Sequence, residues 1–83
     1  MKTKEMILIT GANGQIGSVL TGALRDRYGT DAVLASDIRR PMTSDGPFEV
    51  LDVLYASRLR ELIEKYGVTQ IYHLAAILSA KGE

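Results

Sequence analysis

The chain has 83 residues, no net formal charge and no cysteine. Disulfides, thiolate zinc sites and a cysteine nucleophile are excluded, and charge creates no general attraction to nucleic acid or to an anionic membrane. Apolar residues make up 46 % and charged residues 24 %, as in an ordinary globular protein, and the length allows one domain at most, with a core that buries only roughly 60 % of the unfolded surface.

"MILIT" (6–10) is the first element, a short apolar run suited to a strand buried on both faces. Basic residues precede it, but about four apolar residues are too few for a secretory signal, and no run approaches the ~18 residues of a transmembrane helix. A cytoplasmic protein with no membrane partner is expected. Ile16, Val19, Leu20, Ala23 and Leu24 then recur at helical spacing, and Gly29 marks the stop. "AVLAS" (32–36) reads as a second strand. Residues 37–47 carry both prolines with Ser, Asp and Gly and read as a loop. "FEVLDV" (48–53) is a weaker third strand. Leu59, Leu62, Ile63 and Tyr66 mark a second helix that ends at Gly67, and "QIYHLAA" (70–76) is a fourth strand.

This alternation predicts an α/β fold, a Rossmann-type parallel sheet with helices on both faces. Right-handed crossovers carry the chain outward from the first strand to the third. The fourth strand returns to the other side of the first, giving the order 3-2-1-4 in an incomplete sheet. The reversal opens a crevice at the carboxyl ends of strands one and four, where ligands bind in open α/β sheets.

The segment "ILITGANGQIG" enters that crevice. Gly11 permits a tight turn, Gly14 lets backbone approach a bound group, and Gly17 lets the first helix pack near the strand. Free N–H groups and the positive end of the helix dipole suit a pyrophosphate. The loop has no Lys or Arg, and no Gly-Lys-Ser/Thr ending of a nucleoside-triphosphate loop follows it. Asp37 lies 26 residues past Gly11 at the end of the second strand. A carboxylate there can accept both adenosine-ribose hydroxyls and repel a 2′-phosphate; the structural alternative is a turn or cap aspartate. Arg39 and Arg40 could accept such a phosphate, but they sit in the loop and read as solvated charges. Asp52 can accept from an adenine amino group or cap the second helix, and both readings stay open. His73 is expected to be a packed, hydrogen-bonded core residue.

"TGANGQIG", "SDIR", "LDV" and "HLAAILSAKGE" together resemble the N-terminal part of the extended short-chain dehydrogenases/reductases, the NAD-dependent epimerase/dehydratases. Within that family "ASDIR" and "ILSAKGE" are similar to the L-threonine 3-dehydrogenase branch. The resemblance covers essentially the whole chain. It implies NAD as cofactor, with Gly11, Gly14, Gln15, Ile16 and Gly17 on the pyrophosphate, Asp37 on the ribose with Ile38 and Arg39 beside it, and Asp52 and Val53 at the adenine. It places Leu74, Ala75 and Ala76 under the pyrophosphate and nicotinamide ribose, and Ser79 against the substrate, although an ordinary loop serine is the alternative there. A small-molecule substrate such as L-threonine and a homodimer of the complete protein are implied as well.

The family's chemistry uses a tyrosine with a lysine four residues on. Here Tyr28, Tyr55, Tyr66 and Tyr72 are followed at that distance by Ala32, Leu59, Gln70 and Ala76. No catalytic residue is therefore assigned. Residues 1–83 are expected to be the front of an NAD-binding domain, with the remainder of that domain and a substrate domain outside the chain, and to be inactive alone. The alternatives are a piece of a nucleotide-sugar epimerase/dehydratase and a non-catalytic nucleotide-binding module.

Overall fold

A computed structural model describes residues 5–74. Four parallel strands run β1 (Ile7–Thr10), β2 (Val33–Asp37), β3 (Phe48–Val50) and β4 (Gln70–His73), in the order β3-β2-β1-β4. This is the predicted 3-2-1-4 order. Helix α1 (Gln15–Tyr28) links β1 to β2 through a 3-10 turn, and α2 (Ala56–Tyr66) links β3 to β4.

Side chains alternate between the faces of each strand, and the register sorts them. Ile7, Ile9, Val33 and Ala35 form one buried cluster with Ala12 and with Leu24 of α1, and Leu20, Phe48, Tyr72 and Leu74 pack against its margin. Glu49 lies between Phe48 and Val50 and so takes the opposite face. There it meets Arg58, Lys65 and Tyr66 of α2. The helices therefore cover opposite faces. Leu8 and Leu34, also on the second face, and Leu62 of α2 are wholly buried, each worth roughly 1.5–3 kcal/mol relative to exposure.

The structure turns α1 away from the apolar stripe expected of it. Its buried positions are Gly17, Thr21 and Leu24, with Leu20 half-buried. Ile16 is 64 % exposed and Val19 73 % exposed, and Ala23 is exposed too. Contact between Gly17 and the backbone at Gly11 and Ala12 sets the rotation. Thr21 tolerates the buried face because its hydroxyl donates to the Gly17 carbonyl at 2.7 Å. Gly29, at φ 104°, ends the helix with its N–H on the Arg25 carbonyl at 2.9 Å. Gly67, at φ 67°, closes α2 in the same way on Ile63.

Two strands end earlier than their apolar runs. The Asp52 carboxylate accepts the Leu54 N–H at 3.0 Å, and the Tyr55 N–H bonds the Asp52 carbonyl at 3.0 Å. That turn ends β3 before residue 51. β4 ends at His73, opposite Thr10, the last residue of β1. Ala75, Ala76 and Ser79 lie outside the described residues.

Candidate functional site

The parallel register brings the carboxyl ends of all four strands to one edge of the sheet: Val50, Asp37, Thr10 and His73 in that order. The loop after β1 rises from the middle of this row. Gly11 adopts φ 76°, a left-handed conformation that glycine takes without steric cost. The Ala12 N–H then bonds the Ser36 carbonyl at 2.9 Å, which draws the loop toward β2. Gly14 is the N-cap of α1 and has φ −74°. No side chain caps the helix, and its first turn holds no acidic residue. The positive end of its dipole is thus uncompensated by charge within the helix, a fit for an anionic group. Gln15 and Ile16 begin the helix and are exposed at this edge.

Asp37 is the final residue of β2. One carboxylate oxygen accepts the Asn13 N–H at 2.9 Å, and the other accepts the Ile38 N–H at 2.7 Å. The turn-aspartate role is therefore real. Each carboxylate oxygen can still accept a further bond, so this role does not exclude ribose hydroxyls. Asn13 was not singled out from the sequence. Its side-chain amide donates to the Arg39 carbonyl at 2.7 Å, a second link between the same two loops. The available signal was a side-chain amide within a glycine-rich turn, where Asn habitually bonds nearby backbone.

Asp52 sits next to this group, because the Leu51 N–H reaches the Asp37 carbonyl at 2.8 Å. It does not cap α2. The N-cap is Tyr55, without a side-chain bond, and Asp52 instead holds its own turn. Val53 is half-buried beside it, and Ile38, exposed at 63 %, follows Asp37. Leu74 is half-buried past the end of β4. Arg39 and Arg40 line a cavity of about 640 Å³ together with Thr21 and Arg25 of α1. The Arg40 guanidinium lies 5.6 Å from the Phe48 ring centre, a cation–π distance.

His73 corrects the sequence reading. It is hydrogen-bonded as expected, its Nδ1 lying 2.9 Å from the Thr10 hydroxyl oxygen. It is exposed rather than packed in the core, because β4 is the outer strand of the described sheet. Among the described residues, no group of three His, Cys, Asp or Glu side chains could hold a metal ion, and no helix is long and apolar enough to cross a membrane.

Known proteins resemble this chain in sequence and in fold. A protein of Staphylococcus epidermidis named as an uncharacterized epimerase/dehydratase is 48 % identical over 83 residues, covering 95 % of this chain and 26 % of its own length. The chain thus spans about a quarter of such relatives. Among solved structures, L-threonine dehydrogenase from Clostridium difficile superposes with a TM-score of 0.79 at 46 % identity, over 87 % of this chain and 24 % of that one. A GalE-like L-threonine dehydrogenase from Cupriavidus necator, solved in a holo form, gives 0.79 at 41 % identity, over 83 % and 23 %. The model of the NAD dependent epimerase/dehydratase family matches residues 7–83. A match that begins with the first residue of β1 and takes in every strand and helix of the sheet makes the chain a member of that family.

Proposed function

We propose that this chain is the NAD-binding portion of an NAD-dependent oxidoreductase of the L-threonine 3-dehydrogenase kind, which oxidises a substrate hydroxyl. The observation that carries the reading is the placement of Asp37: it ends β2 and is bonded to the loop between β1 and α1. An acidic residue so placed suits the adenosine ribose, while the uncapped start of α1 suits the pyrophosphate. Gly11, Gly14, Gln15, Ile16 and Gly17 would form the pyrophosphate side. Asp37, Ile38, Arg39, Asp52 and Val53 would form the adenosine side. Leu74, Ala75 and Ala76 would continue toward the nicotinamide, and Ser79 toward the substrate.

When bound, NAD supplies the hydride acceptor. What this chain contributes is binding and orientation. None of its four tyrosines precedes a lysine by four residues, so the proton acceptor is assigned to a part of the protein outside residues 1–83, together with the remainder of the nucleotide domain and a substrate domain. A cytoplasmic homodimer completes the reading. Likeness to threonine dehydrogenases of 41–46 % identity supports L-threonine as the substrate. The epimerase/dehydratase name of the relatives supports a second reading, with a nucleotide sugar as substrate.

The test is NADH formation with L-threonine by the protein at its natural length, alongside residues 1–83 alone. Threonine-dependent reduction of NAD by the first and none by the second is the expected result. Turnover of a nucleotide sugar without threonine oxidation would select the second reading. Failure of the protein at its natural length to bind NAD would overturn both.

A further inference from the structure

Asn13 occupies the bend between Gly11 and Gly14 and bonds twice to the segment that follows β2. Its N–H reaches Asp37 and its side-chain amide reaches the Arg39 carbonyl, residues 24 and 26 positions away. We propose that Asn13 is a positioning residue that makes the site select an unphosphorylated adenosine ribose over one carrying a 2′-phosphate. This inference rests on the NAD reading above.

The two bonds differ in what they require. Any residue other than proline supplies the N–H that Asp37 accepts. The bond to Arg39 needs a short side chain with a donor, which Asn has and an apolar residue lacks. Together with the Ile38 N–H on the other carboxylate oxygen, these bonds fix residues 37–39 at three points. The Asp37 carboxylate is thereby kept at the end of β2, where it accepts hydroxyls and repels a phosphate.

Two cations that could offset that repulsion follow Asp37 in the chain. Arg39 and Arg40 line the cavity beside α1, as Asn13 does. Arg40 also stacks toward Phe48. The Arg39 backbone carbonyl is anchored by the Asn13 amide at 2.7 Å, which fixes where the Arg39 side chain starts and so limits the directions from which its guanidinium can reach the ribose. Loss of the Asn13 amide frees the turn and lets an arginine come to the phosphate, where a charge-assisted bond would favour NADP.

The experiment measures dissociation constants for NAD and NADP in the protein at its natural length. The variants are Asn13→Leu, which keeps the N–H and the branched shape but not the side-chain donor, and Asn13→Gln, which keeps an amide. Asn13→Leu should shrink the preference for NAD over NADP by about fivefold to tenfold, and Asn13→Gln should restore part of it. If Asn13→Leu does not fold, Asn13→Ala supplies the same comparison. Equal weakening of both dinucleotides, or a ratio within twofold of the unsubstituted protein, would overturn the inference and leave the NAD reading standing. Failure of the unsubstituted protein to bind either dinucleotide would overturn the NAD reading, and this inference with it.

Discussion

Gly17 packs so closely beneath Gly11 that a Cβ on it would collide with the Gly11 carbonyl oxygen and lie 2.8 Å from the Ala12 Cα. Both obstacles are backbone, in the one turn that joins β1 to α1, so neither can rotate aside. Gly17→Ala should therefore push the helix off the sheet, with a cost of about 1–3 kcal/mol as for other overpacked sites. The urea midpoint checks this, and an unchanged midpoint would mean the helix docks elsewhere.

Gly14 makes the opposite prediction. Its φ of −74° is open to any residue, so a side chain there need not strain the backbone. Gly14→Val should keep the fold largely intact but put a β-branched side chain where the backbone would approach a pyrophosphate. NAD affinity should fall tenfold or more, about 1.4 kcal/mol. Calorimetric titration measures it, and an unaltered affinity would remove this loop from the site.

The Tyr66 hydroxyl donates to Glu49 Oε2, across the interface between α2 and β3. Arg58 meets the other oxygen at 3.0 Å, and Lys65 lies 3.7 Å away. The Tyr66 hydrogen bond holds the Glu49 carboxyl below its usual range, with Lys65 and Arg58 assisting against burial. The same bond pushes the Tyr66 hydroxyl up. A lowered acid stabilises the fold above its ordinary value, near 4.3, and loses that contribution as pH falls through the lowered value. A raised phenol stabilises below its ordinary value, near 10, and loses that contribution as pH rises through the raised one. Tyr66→Phe should thus cost about 1–2 kcal/mol at neutral pH, with the deficit shrinking at both extremes. Urea melts from about pH 3 to 11 test this, and a deficit independent of pH would assign the effect to packing alone.

Asp37→Ser should relieve rejection of NADP more than it weakens NAD. Serine keeps a short polar group at the end of β2 but removes the charge that would face a 2′-phosphate in the proposed site. The main-chain donors of Asn13 and Ile38 lose their carboxylate acceptor, so some loosening of NAD, by a few-fold, is expected as well. Paired dissociation constants decide the matter. Equal affinity for the two dinucleotides in the unsubstituted protein would contradict the role given to Asp37.

The sequence by itself determined the order of strands and helices, the sheet order 3-2-1-4 and the glycine stops of both helices. Each rests on a local pattern: apolar runs of strand length, a helical period, and glycines where the chain must turn. It also placed Asp37 at the end of β2 and Gly17 at a close approach, because both positions follow from where β1 and β2 end. Tertiary structure alone decided the rotation of α1, since one backbone contact at Gly17 outweighed the exposure of Ile16 and Val19. It decided that His73 is exposed, since β4 is the outer strand of the described sheet and has a strand neighbour on one side alone. It also decided the hydrogen bonds of Asn13, whose partners lie 24 and 26 residues away. Periodicity reports which face of an element is apolar. It does not report which side chains from distant loops come within bonding distance when parallel strands align, and that alignment is what brings the loops after β1 and β2 together.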